Sequence, residues 1–107
     1  MSVQFVGYTG DVALKDPDAT SVPYVISWVD YLSGLSASET IVSSSWSVTG
    51  PDSALTIMAA SIVTGGQQTQ VRISGGTAGA LYWLTDRITT SSGVVDDGSI
   101  GIQVEPR

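Results

Sequence analysis

From Val22 to Val104 the chain is written in short stretches where apolar and polar residues take turns, each closed by a cluster of Gly, Pro, Ser or Asp. Successive side chains of a strand point to opposite faces, so a period of two builds half-buried strands and not an amphipathic helix. Stretches this short, with turn residues every ten positions or so, specify a sandwich or barrel.

Tyr24, Ile26 and Trp28 alternate with Val25, Ser27 and Val29, which predicts a strand over 22–29. Pro23 belongs at its start, where no ladder hydrogen bond is lost. Ser33 to Glu39 reads as a polar loop around Gly34. In the next strand, Val42, Ser44, Trp46 and Val48 form the inward face and Ile41, Ser43, Ser45 and Ser47 the outward one, because Trp46 and Val48 need cover. After the turn Thr49-Gly50-Pro51-Asp52, Ala54 to Ala60 reads as a strand, although Ile57-Met58-Ala59-Ala60 also fits a helical turn. Gly65-Gly66 is a hairpin-type turn. Gln68 to Ser74 is a strand with Val71 and Ile73 inward, and Gly75 to Gly79 is a loop that permits positive φ. Leu81 to Thr89 is the longest strand, with Tyr82, Leu84, Asp86 and Ile88 on one face and Leu81, Trp83, Thr85, Arg87 and Thr89 on the other. Ser91-Ser92-Gly93 is a turn, and Ile100, Ile102 and Val104 mark a last strand. The sum is an all-β, immunoglobulin-like sandwich of about seven antiparallel strands. Gly79 followed by Tyr82 has the form of a tyrosine corner, in which the hydroxyl bonds upstream backbone.

The first residues break this rhythm. Val3, Phe5 and Val6 form a short extended piece interrupted by Gly7, Gly10 and Asp11. Residues 1–14 are therefore expected to be an irregular N-terminal arm, and 15–107 the sandwich domain, entered through the turn Lys15-Asp16-Pro17-Asp18.

Composition narrows the chemistry. With 107 residues, 42% of them hydrophobic, the chain can bury one core without staples. It has no Cys and no His, which removes disulfides, zinc fingers, thiol nucleophiles, His-based triads and His-ligated metals. The lack of Cys fits synthesis in a reducing compartment. Four cations against ten acids, a net charge of −6, disfavour a phosphate track. Ser43-Ser44-Ser45 has no base to activate a nucleophile, since Lys15 is the only lysine, and the loop 74–79 lacks the lysine of a phosphate cradle. No basic and apolar leader is visible at the start, and no apolar run approaches the roughly 20 residues of a membrane helix.

The acids read mostly as structural. Asp16 with Asp18 and Asp96 with Asp97 lie beside Pro or Gly, where Asp is expected in turns. Asp86 sits inside a strand. Its expected state is an ion pair with Arg72 or Arg87 or a solvent-facing strand end, and the competing state is a buried acid with a raised pKa. Trp28, Tyr31, Trp46 and Tyr82 are expected mainly in the core, while Trp83, adjacent to an inward Tyr82, must face outward and marks a protein contact.

Four segments together resemble a family of small tailed-bacteriophage proteins, the fibre–tail adaptors. They are Lys15-Asp16-Pro17-Asp18-Ala19; Trp28 with Asp30-Tyr31-Leu32-Ser33-Gly34; Ile41 with Ser43-Ser44-Ser45-Trp46-Ser47-Val48; and Ser74 to Gly79, Tyr82, Thr85 to Gly93 and Asp96-Asp97. The sequence departs from the family pattern at Ser27, where an acidic residue precedes the Trp, at Val22-Pro23, and in the extension before Lys15. The resemblance implies an immunoglobulin-like structural protein of the virion tail, made in the host cytoplasm. It would join the tail, nozzle or neck to a tail fibre as a ring of identical copies, with no enzyme activity, no cofactor, and neither nucleic acid nor membrane as partner. The expected contact residues are Val3, Phe5 and Tyr8 in the arm, Trp83, and Ser92, Val94 and Asp96 in the 91–98 hairpin. Sheet edges and an extended arm are suited to strand addition, and 16 Ser and 11 Thr suit a packed polar interface. Two other roles fit such a domain: a capsid decoration protein, and a carbohydrate-binding module that stacks sugars on Trp83 or Tyr31.

Overall fold

A computed structural model describes residues 3–6, 12–63 and 65–106, with backbone alone for 3–6. In chain order the elements are β1 (Val3–Val6), β2 (Val12–Lys15), β3 (Val22–Ser27), α1 (Val29–Leu35), β4 (Ile41–Thr49), β5 (Leu55–Val63), β6 (Gln68–Gly75), β7 (Leu81–Thr90) and β8 (Val95–Val104). They form two four-stranded sheets, β1-β3-β6-β5 and β2-β8-β7-β4, packed as a sandwich. The all-β sandwich is the one the alternation demands. Among the described residues it has eight strands where about seven were expected, and the first two run parallel to their neighbours: β1 to β3 and β2 to β8.

The core lies between the sheets. Tyr24, Ile26, Val71 and Ile73 of the first sheet meet Tyr82, Leu84, Ile88, Ile100, Ile102 and Val104 of the second, all at 1% exposure or less. At about 25 cal/mol per Å² of buried apolar surface, residues of this size contribute roughly 1.5–3 kcal/mol each before entropy is counted.

Four expectations are corrected. The strand predicted over 22–29 ends at Ser27, and helix α1 takes in residues 29–35, including the first part of the predicted loop 33–39. Trp28 and Leu32 are four residues apart, so one helical turn sends both into the core, at 0% and 2% exposure. Leu32 N–H bonds Trp28 C=O at 2.8 Å, and Trp28 N–H bonds Gln67 C=O at 2.9 Å, closing the end of the sandwich. In β4 the ladder shifts between Ile41 and Ser43. A bulge of this kind flips the side-chain alternation, so Ile41 turns inward at 4% exposure and Val42 outward at 59%, the reverse of the expected faces. Finally, Asp96 and Asp97 are not turn residues. They lie in β8, paired with Ile88 and Arg87. The segment 54–60 is a strand, longer than expected, with a bulge between Ile57 and Ala59 and no helical turn.

Lys15 explains how β2 is held. It is 1% exposed, and its ammonium donates to the carbonyls of Asp16 (2.9 Å), Ala19 (2.8 Å) and Gly75 (2.7 Å). Three N–H donors meet three acceptors, which is what lets a lysine be buried. Burial lowers its pKa, and the charges of Asp16 and Asp18 oppose that shift. Asp16 also accepts the Asp18 N–H at 2.8 Å, making the expected turn.

Candidate interaction surface

The outer face of the second sheet is the most differentiated surface of the molecule. Trp83 points outward from β7, opposite Gly101 on β8 and Thr49 on β4. A Cβ at Gly101 would stand 3.2 Å from the Trp83 ring and 2.9 Å from Val12, so glycine there is what allows the indole to lie across the sheet against β2. Exposed Val12, Leu14 and Leu81 border it, at 53%, 57% and 38% exposure. Further along the same strands the face becomes polar. Ser45, Ser47 and Thr85 line a shallow hollow with Arg87 and Asp97. Thr85 and Ser99 share a hydroxyl hydrogen bond of 3.0 Å. The Arg87 guanidinium grips Asp97 through Nε (2.9 Å) and Nη2 (3.1 Å), which holds the Asp97 carboxyl below its usual range.

The hairpin 91–94 closes β7 and β8 at the far end of that face. The Glu39 carboxylate accepts both the Ser92 N–H, at 3.1 Å, and the Ser92 hydroxyl. Those bonds, with one from Thr90, hold Glu39 below the usual carboxylate range. Ser91 N–H bonds Thr40 C=O at 2.8 Å, and Ile41 N–H bonds Gly66 C=O at 2.8 Å. Asp96 accepts the Tyr31 hydroxyl at 2.8 Å on one oxygen and the Asp97 N–H at 2.8 Å on the other. The ring of Tyr31 stands edge-on to Trp28, with centroids 5.5 Å apart. Helix, loop 36–40, turn 65–67 and hairpin thus form one braced pole, from which Val29, Leu35 and Val95 project at 39%, 42% and 57% exposure.

The predicted contact residues fall on three separate places. Trp83 lies near one pole. Ser92 and Val94 lie at the other, beyond Thr90, which is about 23 Å from Trp83 along β7 at roughly 3.3 Å per residue, and Asp96, paired with Ile88, lies about 17 Å along it. Ser92 and Asp96 already make internal hydrogen bonds, and Val94 is half-buried, its N–H held by Thr90 Oγ1 at 3.2 Å. Val3 and Phe5 belong to β1, in register with Tyr24 and Ile26 on the edge of the first sheet. Tyr8 lies outside the described residues. The alternation could not reveal the bracing by Glu39 and Tyr31, because both reach partners more than 50 residues away.

Two acids anchor the scaffold beneath this surface. Asp86 is fully buried between the sheets, which overturns the expected ion pair or solvent-facing position; Arg87 pairs with Asp97 instead. It accepts the Ser44 hydroxyl at 2.5 Å. Across the core, Trp28 Nε1–H donates to Thr69 Oγ1 at 3.1 Å. Burial raises the pKa of Asp86, and hydrogen bonding by Ser44, Thr69 and Trp28 opposes the shift only partly. At the other pole the tyrosine corner forms as expected. The Tyr82 hydroxyl accepts the Thr77 N–H at 2.9 Å and donates to Asp52 at 2.5 Å. Asp52 also receives the Thr77 hydroxyl (2.8 Å) and the Ala54 N–H (3.0 Å). Gly50 sits against the Tyr82 ring so closely that a Cβ would lie 2.4 Å from it.

A sequence model of the family described as podophage GP4 fiber-tail adaptor protein gp77 matches residues 15–103. No curated protein matches the sequence. Among solved structures, the cysteine protease inhibitor EhICP2 from Entamoeba histolytica is similar, with a TM-score of 0.52 over 97% of both chains at 4% identity. At that identity the likeness is one of fold. The described helix is too short to cross a membrane.

Proposed function

The chain belongs to the podophage GP4 fiber-tail adaptor family, and from that premise we propose that it joins a tail or neck protein of the virion to a tail fibre by protein–protein contact, in a ring of identical copies. The observation that carries this reading is the presence of exposed apolar side chains at both poles. Val12, Leu14 and Leu81 gather at one beside the half-buried Trp83, and Val29, Leu35 and Val95 at the other. Exposed apolar clusters rimmed by polar residues mark protein contacts, and a rigid sandwich with one at each end is built to bridge two partners. The strip between them, lined by the hydroxyls of Ser45, Ser47 and Thr85 and by the mutually neutralising Arg87–Asp97 pair, suits close packing in an assembled particle. The contact roles expected of Trp83 and of the 91–98 hairpin fit this division, with Trp83 serving one partner and Val95 beside the hairpin the other. Catalysis has no part in the proposal.

The test is to build particles with Trp83→Asp or Val95→Asp and to quantify every tail component by mass spectrometry. The wild-type protein should be present at a copy number comparable to the portal ring. One variant should lose the protein from the particle, and the other should keep it but lose the fibre. A wild-type copy number near that of the major capsid protein would make it a decoration protein. Absence of the wild-type protein from the particle would overturn the adaptor reading and move attention to glycan binding at Trp83.

A further inference from the structure

The sandwich has two open sides, and the described strands that form them carry no exposed charge. One side is made by β4 and β5, which pack against each other across the 50–54 turn. The other is made by β1 and β2, the opposite edges of the same two sheets. In a chain with net charge −6, residues 1–10, 40–51 and 53–71 hold no charged side chain, and the lysine of β2 is buried. The edge strand β5 is nine residues long, lacks Pro, and exposes Met58 at 59% and Ile62 at 36%. Beyond its bulge it runs in regular register from Ala59 to Val63. An edge this long without charge or proline is unguarded against pairing with another strand.

Strand polarity selects the partner. β1 runs with β3, β3 runs against β6, and β6 runs against β5, so β1 and β5 point the same way. The second sheet repeats the pattern: β2 runs with β8, β8 against β7, and β7 against β4, so β2 and β4 also agree. A second copy rotated about an axis along the strands brings its β1 beside β5 in parallel. The contact is head-to-tail and can close into a ring. A two-fold contact of β5 with β5 would be antiparallel and would leave both β1 edges bare. Two copies of like net charge meet with least repulsion along surfaces without charge, and the two sides of this sandwich are such surfaces.

We propose that β5 of one copy pairs in parallel with β1 of the next, so that the first sheet continues from copy to copy around the ring. The inference rests on the ring of the adaptor reading and gives that ring its contact. Because the chain has no Cys, Gln4→Cys with Ser61→Cys introduces one thiol on each edge. Particles carrying the double variant, treated with a short bis-maleimide and run on a denaturing gel, should show a ladder at multiples of the 11.1 kDa chain. Each single variant should stay monomeric. A second pair, Gln4→Cys with Ala59→Cys, shifts the thiol by two residues on the same edge and should give the same ladder. Double variants that enter the tail and stay monomeric overturn the edge contact and leave the adaptor reading standing. A dimer from Ser61→Cys alone, or a cross-link to another tail chain, overturns it as well. Wild-type protein missing from the tail refutes the adaptor reading itself.

Discussion

Asp86 and Asp52 are the same residue in two settings, and the fold moves their acidities in opposite directions. Asp86 lies between the sheets, where desolvation disfavours its charge, and its Oδ2 has no hydrogen-bond partner among the described residues. Asp52 lies at an exposed turn and collects donors from Tyr82, Thr77 and Ala54, which favour its charge and hold its pKa down. Both acids tie distant parts of the chain together. Asp52 fastens the 50–54 turn to the 76–80 loop through the tyrosine corner, while Asp86 in β7 holds Ser44 in β4, facing the Trp28–Thr69 pair of the other sheet. A carboxylate clamp at the surface strengthens as it ionises, whereas a carboxyl in the core is better tolerated with its proton on.

The largest way to break the comparison is Trp28→Ala. It removes the indole that fills the braced pole and donates to Thr69, and it leaves a cavity beside Asp86. The expected cost is about 3–5 kcal/mol, read from urea unfolding. Tyr82→Phe acts on the other site, deleting one hydroxyl that serves Asp52 and the Thr77 N–H. It should cost about 1–2 kcal/mol with little change in the urea slope, since the packing of the ring is kept.

The smallest effect is the most discriminating: thermal midpoints against pH for the wild type, Asp86→Asn and Asp52→Asn. The folded pKa of Asp86 lies above its unfolded value. Below the ordinary aspartate range both states hold the proton. As pH rises from there through the raised folded value, the unfolded chain ionises first and stability falls. Asp86→Asn should therefore gain on the wild type as pH rises and keep that gain at neutral pH. Asp52 has the opposite sign, because its folded pKa lies below the unfolded one. Its contribution is present above the unfolded value and disappears as pH falls through the folded one, so Asp52→Asn should trail the wild type at neutral pH and converge with it in acid. Parallel curves for all three proteins would mean that neither acid feels its surroundings as described.

Much of this frame was legible in the order of residues. The inward faces of β6 and β7 and the outward Trp83 followed from the period of two, and the Tyr82 corner from Gly79 standing before it. Where reading failed, a local pattern had two continuations. Trp28 extends the alternation of Tyr24 and Ile26, but it also begins a helical turn with Leu32, and burial of both side chains favoured the helix. Val42 lost its inward place to a bulge, which alternation does not encode. Asp96 and Asp97 have the composition of a turn, yet Arg87 and Tyr31 give them partners within a strand.

The candidate surface divides in the same way. Trp83 was legible as an outward side chain because its neighbour Tyr82 had to face the core. That Gly101 makes room for its ring, and that Val12 and Leu14 extend its apolar surroundings, depended on β2 lying beside β8. Sequence alone determined an all-β chain with one core, no thiol or imidazole chemistry, and a set of turns, because these depend on residue type and on spacing along a strand. Tertiary structure decided which acid is buried, which edges are left open, and that the contact candidates stand at opposite poles. Those properties depend on which strands become neighbours, and neighbours in a sandwich are brought together from dozens of residues apart.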